Sequence, residues 1–206
     1  NSVAEKVQKI VESYKGKLPH GVFLDIRGQV VSMRNAYSGL LTGIVLALIL
    51  VYLLLVVNYQ SWTDPLIILM AIPGALCGII WALYLTQTTF SVPALMGAIM
   101  SIGVASANSI LVVSFAREQM AEGMDSVQAA LKAGATRFRP VLMTAAAMII
   151  GMVPMSIGSG AGGAQNAPLG RAVIGGLVIA TFFTLIWVPL VFSIIHRHAG
   201  KKFHAM

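Results

Sequence analysis

Between Gly97 and Ala116 the chain reads GAIMSIGVASANSILVVSFA, an uncharged run into which Ser101, Ser106, Asn108, Ser109 and Ser114 are set. These side chains donate and accept hydrogen bonds and can hold a water, but none exchanges a proton near neutral pH. Their chemistry is therefore positioning. At about 100° per residue, Gly97, Ser101, Ala105 and Asn108 share one stripe with Ser109 at its edge, while Ser114 is rotated away. Such a stripe suits close helix contact and interhelical hydrogen bonds, and a buried amide such as Asn108 must find partners. Thr144, Met148, Gly151 and Met155 form a second face at i, i+4, i+7 and i+11.

The elements that hold these residues follow from charge. Of the 206 residues 57% are hydrophobic and only 10% charged, against roughly 25% charged in a soluble domain. The chain is an integral membrane protein. No Asp, Glu, Lys, Arg or His occurs from Asn35 to Thr63, Pro65 to Ala116, Pro140 to Gly170, or Ala172 to Ile195. Since a crossing needs about 20 apolar residues, these runs predict an all-α membrane bundle over 38–196. Its five spans fall at about 38–57, 65–85, 92–116, 140–157 and 172–195. Arg139-Pro140 suits the first turn of the fourth span, Pro73-Gly74 predicts a kink in the second, and Gly39 with Gly43 marks a helix contact in the first. Within the spans, Tyr52, Tyr84 and Cys77 are the only titratable side chains, so proton carriers are expected elsewhere. The single cysteine excludes an intrachain disulfide.

Residues 1–37 read as a small α/β remnant. Ser2 and Glu5 have capping-box spacing, Val3, Val7, Ile10, Val11 and Tyr14 make one helical face, and Val22 to Arg27 alternate as a strand. One helix and one strand cannot bury a core, so they are expected to end a larger extramembrane domain. After the third span, Asp125 or Ser126 caps a short helix to about Ala133, expected to lie along the membrane surface. Arg117, Lys132, Arg137, Arg139, Arg197, Lys201 and Lys202 fall on one side of a five-span bundle, against Arg27, Arg34 and Arg171 near the other. The positive-inside rule places the N-terminal segment outside and the basic tail 197–206 in the cytoplasm. Much of the net charge of +7 is thus answered by anionic headgroups of the lipid bilayer. No basic groove with interleaved aromatics points to nucleic acid. His196, His198 and His204 read as a membrane-surface tail, His20 as a loop residue, and neither as a metal site. The loop GSGAGGAQNAPLG lacks the strand and the Lys-Ser/Thr of a phosphate cradle. It reads as a flexible connection, and no cofactor is expected.

The segments FRPVLMTAAAMIIGMVPMSIGSGAGGAQNAPLGRAVIGGL, GVASANSILVVSFARE and LVVNYQSWTDPLIILMAIPGAL resemble the C-terminal transmembrane half of resistance-nodulation-division (RND) efflux pumps. The likeness is to the branch that exports hydrophobic and amphiphilic compounds in multidrug efflux. It runs from about Gly21 to the tail. It implies the last five of six spans of a second half, preceded by the end of a periplasmic porter domain. It also implies an inner-membrane antiporter, not an enzyme, working as a homotrimer with the N-terminal half of the same pump, a periplasmic adaptor and an outer-membrane channel.

In that family a lysine, a threonine and an arginine of the second half meet acidic residues of the first. The resemblance places the threonine at Thr144 and the arginine at Arg137, but the lysine position holds Ala107. Asn108, Ser106 and Ser109 are then the local polar groups left to face those acids, with Ser101 one stripe-turn away. A relative in protein secretion or lipid export would carry the same bundle under a different periplasmic domain. An isolated membrane scaffold is the reading that dispenses with the missing half.

Overall fold

The computed structural model describes residues 2–15, 29–160 and 162–203. Helices α1 (Ser2–Lys15), α2 (Gln29–Tyr59), α3 (Thr63–Leu69), α4 (Ala71–Leu85), α5 (Val92–Ala121), α6 (Ser126–Ile157) and α7 (Gly163–Phe182) follow in order. A π turn, Phe183–Trp187, then leads into α8 (Val188–Phe203). No strand occurs among the described residues, and the one expected over Val22 to Arg27 lies outside them. The described residues are therefore all-helical, and the α/β remnant is not shown.

Two compact units divide the chain, residues 1–43 and 44–206. In the first, α1 exposes Val7, Ile10 and Tyr14 from its apolar face. Nothing lies within 4 Å of a Cβ built on Gly39 or Gly43, so the helix contact expected there is not made among the described residues. The second unit holds the bundle. Five helical stretches are long and apolar enough to cross a membrane: Asn35–Tyr59, Thr63–Leu85, Val92–Ala121, Ser126–Ile157 and Gly163–Arg197.

α7 packs against α4, α5 and α6, and small residues let it do so. A Cβ on Gly97 of α5 would lie 2.6 Å from the Leu169 carbonyl oxygen, and one on Gly175 would lie 2.6 Å from that of Gly78 in α4. With no side chain at these positions the backbones approach closely, as membrane helices do when dispersion and hydrogen bonding must replace the hydrophobic effect. α2 is the opposite case. Leu46, Leu50, Leu54 and Val57 are exposed and only Leu55 and Tyr59 are buried in the core. A helix apolar all round seeks lipid or another protein surface.

Three boundaries differ from those the sequence suggested. The break between α3 and α4 falls at Met70 rather than at Pro73-Gly74. The ring of Pro73 excludes the carbonyl four residues earlier, that of Leu69, from the helical ladder. Second, the short surface helix and the fourth span are one helix, with Pro140 and Pro154 in its interior. Its first turns do not lie apart from the bundle, because Ala130 and Ala133 are buried in one core with Ala116, Val188 and Phe192. Third, the glycine-rich connection is short. Gly158 closes α6 at φ 77° and Gly162 opens α7 at φ 81°, left-handed values that favour glycine, and Pro168 sits inside the new helix.

The π turn has a geometric effect. On an unbroken α-helix, Ala180 and Phe192 would differ by about 120° in direction; a widened turn absorbs one residue and reduces this to about 20°. Ala180, Thr184, Val188 and Phe192 are accordingly all buried, each at most 1% exposed.

Candidate functional site

Two polar groupings stand out in the bundle. The first is the stripe on α5. Ser101 and Ser109 are fully buried and satisfied: Ser101 Oγ donates to the Gly97 carbonyl at 3.0 Å, and Ser109 Oγ donates to that of Ala105 at 2.8 Å. Each also reaches the next helix, Ser101 toward the Val173 carbonyl at 3.5 Å and Ser109 toward the Thr184 hydroxyl at 3.3 Å. Both serines thus join α5 to α7 and the π turn. Ser106 and Asn108 are 8% exposed and make no direct side-chain hydrogen bond among the described residues. Ser106 and Ala107 line an apolar groove of about 250 Å³ with Ile44, Leu48 and Val51 of α2.

Thr144 is exposed on α6, and its hydroxyl donates only to its own helix, at the Val141 carbonyl 3.0 Å away. No hydrogen bond joins it to Asn108. The guanidinium of Arg137 sits 5.2 Å from the ring centre of Phe115, while its Nε is buried without a hydrogen-bond partner. A buried donor left unpaired costs about 1–3 kcal/mol, so it needs an account.

The second grouping was not legible in the sequence as a site. Asp64, assigned there to a polar hairpin, is only 1% exposed. Arg117 Nη1 donates to its Oδ2 at 2.8 Å and to the Tyr59 carbonyl at 2.7 Å, with the guanidinium over the Tyr59 ring. His196, read as part of a solvated tail, brings Nε2 to 3.2 Å from Asp64 Oδ1. This is an ion-pair contact whose alignment falls short of a hydrogen bond, since Oδ1 has no hydrogen-bond partner. The other ring nitrogen, Nδ1, is 3.1 Å from the Phe192 carbonyl oxygen, and the imidazole stacks on the Phe192 ring at 4.2 Å. Ser114 is no bystander either: its hydroxyl bonds that of Tyr59. A carboxylate and a histidine thus lie within the packed ends of the apolar helices, where the sequence reading had none. The side chains of His198 and His204 lie outside those described.

The profile of the AcrB/AcrD/AcrF family matches residues 1–196. The chain is 34% identical over 192 residues to the toluene efflux pump membrane transporter TtgB of Pseudomonas putida, covering 93% of this chain and 18% of that protein. It is 35% identical over 190 residues to the multidrug export protein AcrF of Escherichia coli, covering 91% and 18%. Over 182 residues it is 37% identical to the cobalt-zinc-cadmium resistance protein CzcA of Cupriavidus metallidurans, covering 88% and 17%. The crystal structure of a heavy metal efflux pump superposes with a TM-score of 0.74 at 28% identity, covering 93% of this chain and 19% of that one. The chain therefore spans less than a fifth of the length of the relatives it matches.

Proposed function

Because the chain belongs to the AcrB/AcrD/AcrF family of efflux transporters, we propose that it forms the last five transmembrane helices of a proton-driven RND exporter of hydrophobic or amphiphilic compounds. The observation that carries this reading is the unanswered side of the polar seam. Among the described residues Arg137 keeps a buried Nε unpaired, Asn108 and Ser106 make no direct side-chain hydrogen bond, and Thr144 bonds only its own helix. A seam left open in this way is completed by groups from outside the chain. In this reading they are the acidic residues of the N-terminal half, which carry the protons, while Asn108, Thr144 and Arg137 supply the wall they switch against. With Ala107 at the lysine position, α5 offers no cation at that point of the helix to compete for those acids. Ser101 and Ser109 hold the wall in place.

The test compares Asn108→Leu with Leu111→Ala, a control at an exposed position of the same helix, in cells expressing the full-length transporter. Export should fall at least tenfold in the first and little in the second, with equal membrane levels. Equal export from both variants removes Asn108 from the mechanism. CzcA and the superposed metal pump favour a second reading, export of divalent metal ions. Growth protection against zinc but not against solvents or dyes would select it.

The same reading places the assembly in the bacterial inner membrane as a homotrimer with a periplasmic adaptor and an outer-membrane channel. Residues 1–37 would be periplasmic and the tail after Arg197 cytoplasmic. With Cys77 replaced by alanine, an impermeant thiol reagent should label Ser159→Cys in intact cells and Glu122→Cys only after permeabilisation. The reverse pattern inverts the topology.

A further inference from the structure

The cluster around Asp64 lies apart from the polar seam, and its argument does not rest on the export reading. A neutral imidazole has one N–H and one lone pair, whereas a protonated one has two donors. At His196 both ring nitrogens face oxygen acceptors, Nδ1 the Phe192 carbonyl at 3.1 Å and Nε2 the Asp64 carboxylate at 3.2 Å. Either neutral tautomer turns a lone pair toward one of these oxygens; only the imidazolium answers both. Stacking on Phe192 fixes the plane of the ring, and an aromatic face favours a cation beside it.

The surroundings complete the site. Asp64 stands on α3, beside Ser61 of the preceding turn. From α2 the Tyr59 ring and carbonyl hold Arg117, which engages Oδ2 and leaves Oδ1 for His196. α6 adds Ala130 and Ala133 to the adjoining apolar core. The carboxylate is 2% exposed but the His196 side chain is 19% exposed, so the ring is the open side of the pair.

We propose that His196 and Asp64 form a proton-binding site, closed while the imidazole carries its proton and released when it does not. Its occupancy sets how firmly the end of α8 is held to α3 and α5. Arg117 is the permanent counter-charge that holds the Asp64 carboxylate in place through the cycle. A protonated imidazole strengthens this contact and a neutral one weakens it, so the contact tightens on acidification and loosens on alkalinisation.

Backbone hydrogen exchange on the full chain in lipid nanodiscs tests this at about pH 5.5 and 8.5, corrected for intrinsic exchange chemistry. Amides of residues 188–197 should lose roughly tenfold protection at the higher pH, the scale of one close pair of opposite charges in a polar medium. Amides of 71–85 in α4 should not change. His196→Gln should remove the pH dependence, and His196→Arg, permanently charged, should keep the low-pH protection at both values. An unchanged pH response in His196→Gln, no response in the unmodified chain, or an equal response in α4 would overturn the proposal.

Discussion

Replacing Arg117 with methionine should cost this chain about 3–5 kcal/mol of folding free energy, the cost of removing one partner from a buried ion pair. The asymmetry of exposure sets the size. Asp64 has a side chain 2% exposed, whereas that of Arg117 is 37% exposed. Without the guanidinium the carboxylate keeps only the off-axis contact with His196 and loses the charge that made its burial tolerable. The Tyr59 carbonyl loses its donor at the same time. Removing the acid is milder, because the arginine can turn toward water and keep its stem packed. In reversible unfolding in mixed micelles, Arg117→Met should be the least stable variant and Asp64→Leu intermediate. The double variant should recover much of the loss, since an apolar replacement of the pair leaves no buried charge. A cost below about 1 kcal/mol for Arg117→Met would mean that the pair contributes no more than a surface salt bridge.

The second large effect concerns the α4–α7 contact. A methyl on Gly175 would come within 2.6 Å of the Gly78 carbonyl oxygen and would also overlap Ala82, so backbone must move to admit it. Overpacking of this kind typically costs about 1–3 kcal/mol. Gly151 on α6 has nothing within 4 Å of its Cβ position among the described residues. There alanine should raise stability by about 0.5–1 kcal/mol through helix propensity. The two Gly→Ala variants, measured by the same unfolding assay, should move in opposite directions. If both destabilise, the close approach of α4 and α7 does not set the tolerance for side chains. If Gly151→Ala stabilises the chain yet impairs export, the face it shares with Thr144 packs against the other half.

How much of this was legible in the sequence depends on the range of the interaction. Uninterrupted apolar runs between charges marked five membrane-length helices, because the cost of charge in hydrocarbon is a local property. Helix ends were less legible. Pro140 read as the start of a span and Pro168 as part of a loop, but both lie inside helices, since packing against neighbours tolerates a missing backbone bond. The stripe arithmetic found Ser101, Asn108 and Ser109 among the polar residues that α5 buries, but not Ser106 or Gln119. It also set Ser114 aside, because its partner Tyr59 lies 55 residues away and no periodicity reports a contact at that separation. Asp64 and His196 were invisible as a pair for the same reason. Each looked like a loop or tail residue flanking an apolar run, and only the shared end of α3 and α8 brings them together.

The π turn bears on how this stretch tolerates changes in length. By absorbing one residue, it already stores a single-residue insertion between Ala180 and Val188. Losing any one residue of Phe183–Trp187 would let the turn relax to an ordinary helical one, with α7 and α8 still presenting Ala180 and Phe192 to their present neighbours. The same deletion a few residues later, within Val188–Val191, has no such reserve and would swing the imidazole of His196 about 100° around the helix, away from Asp64. Sequences descended from a common ancestor with this one can therefore be expected to differ by a residue at 183–187 more readily than anywhere else in the last helix. An alignment that forces a gap elsewhere between Gly176 and His196 places it where the structure has no means of absorbing it.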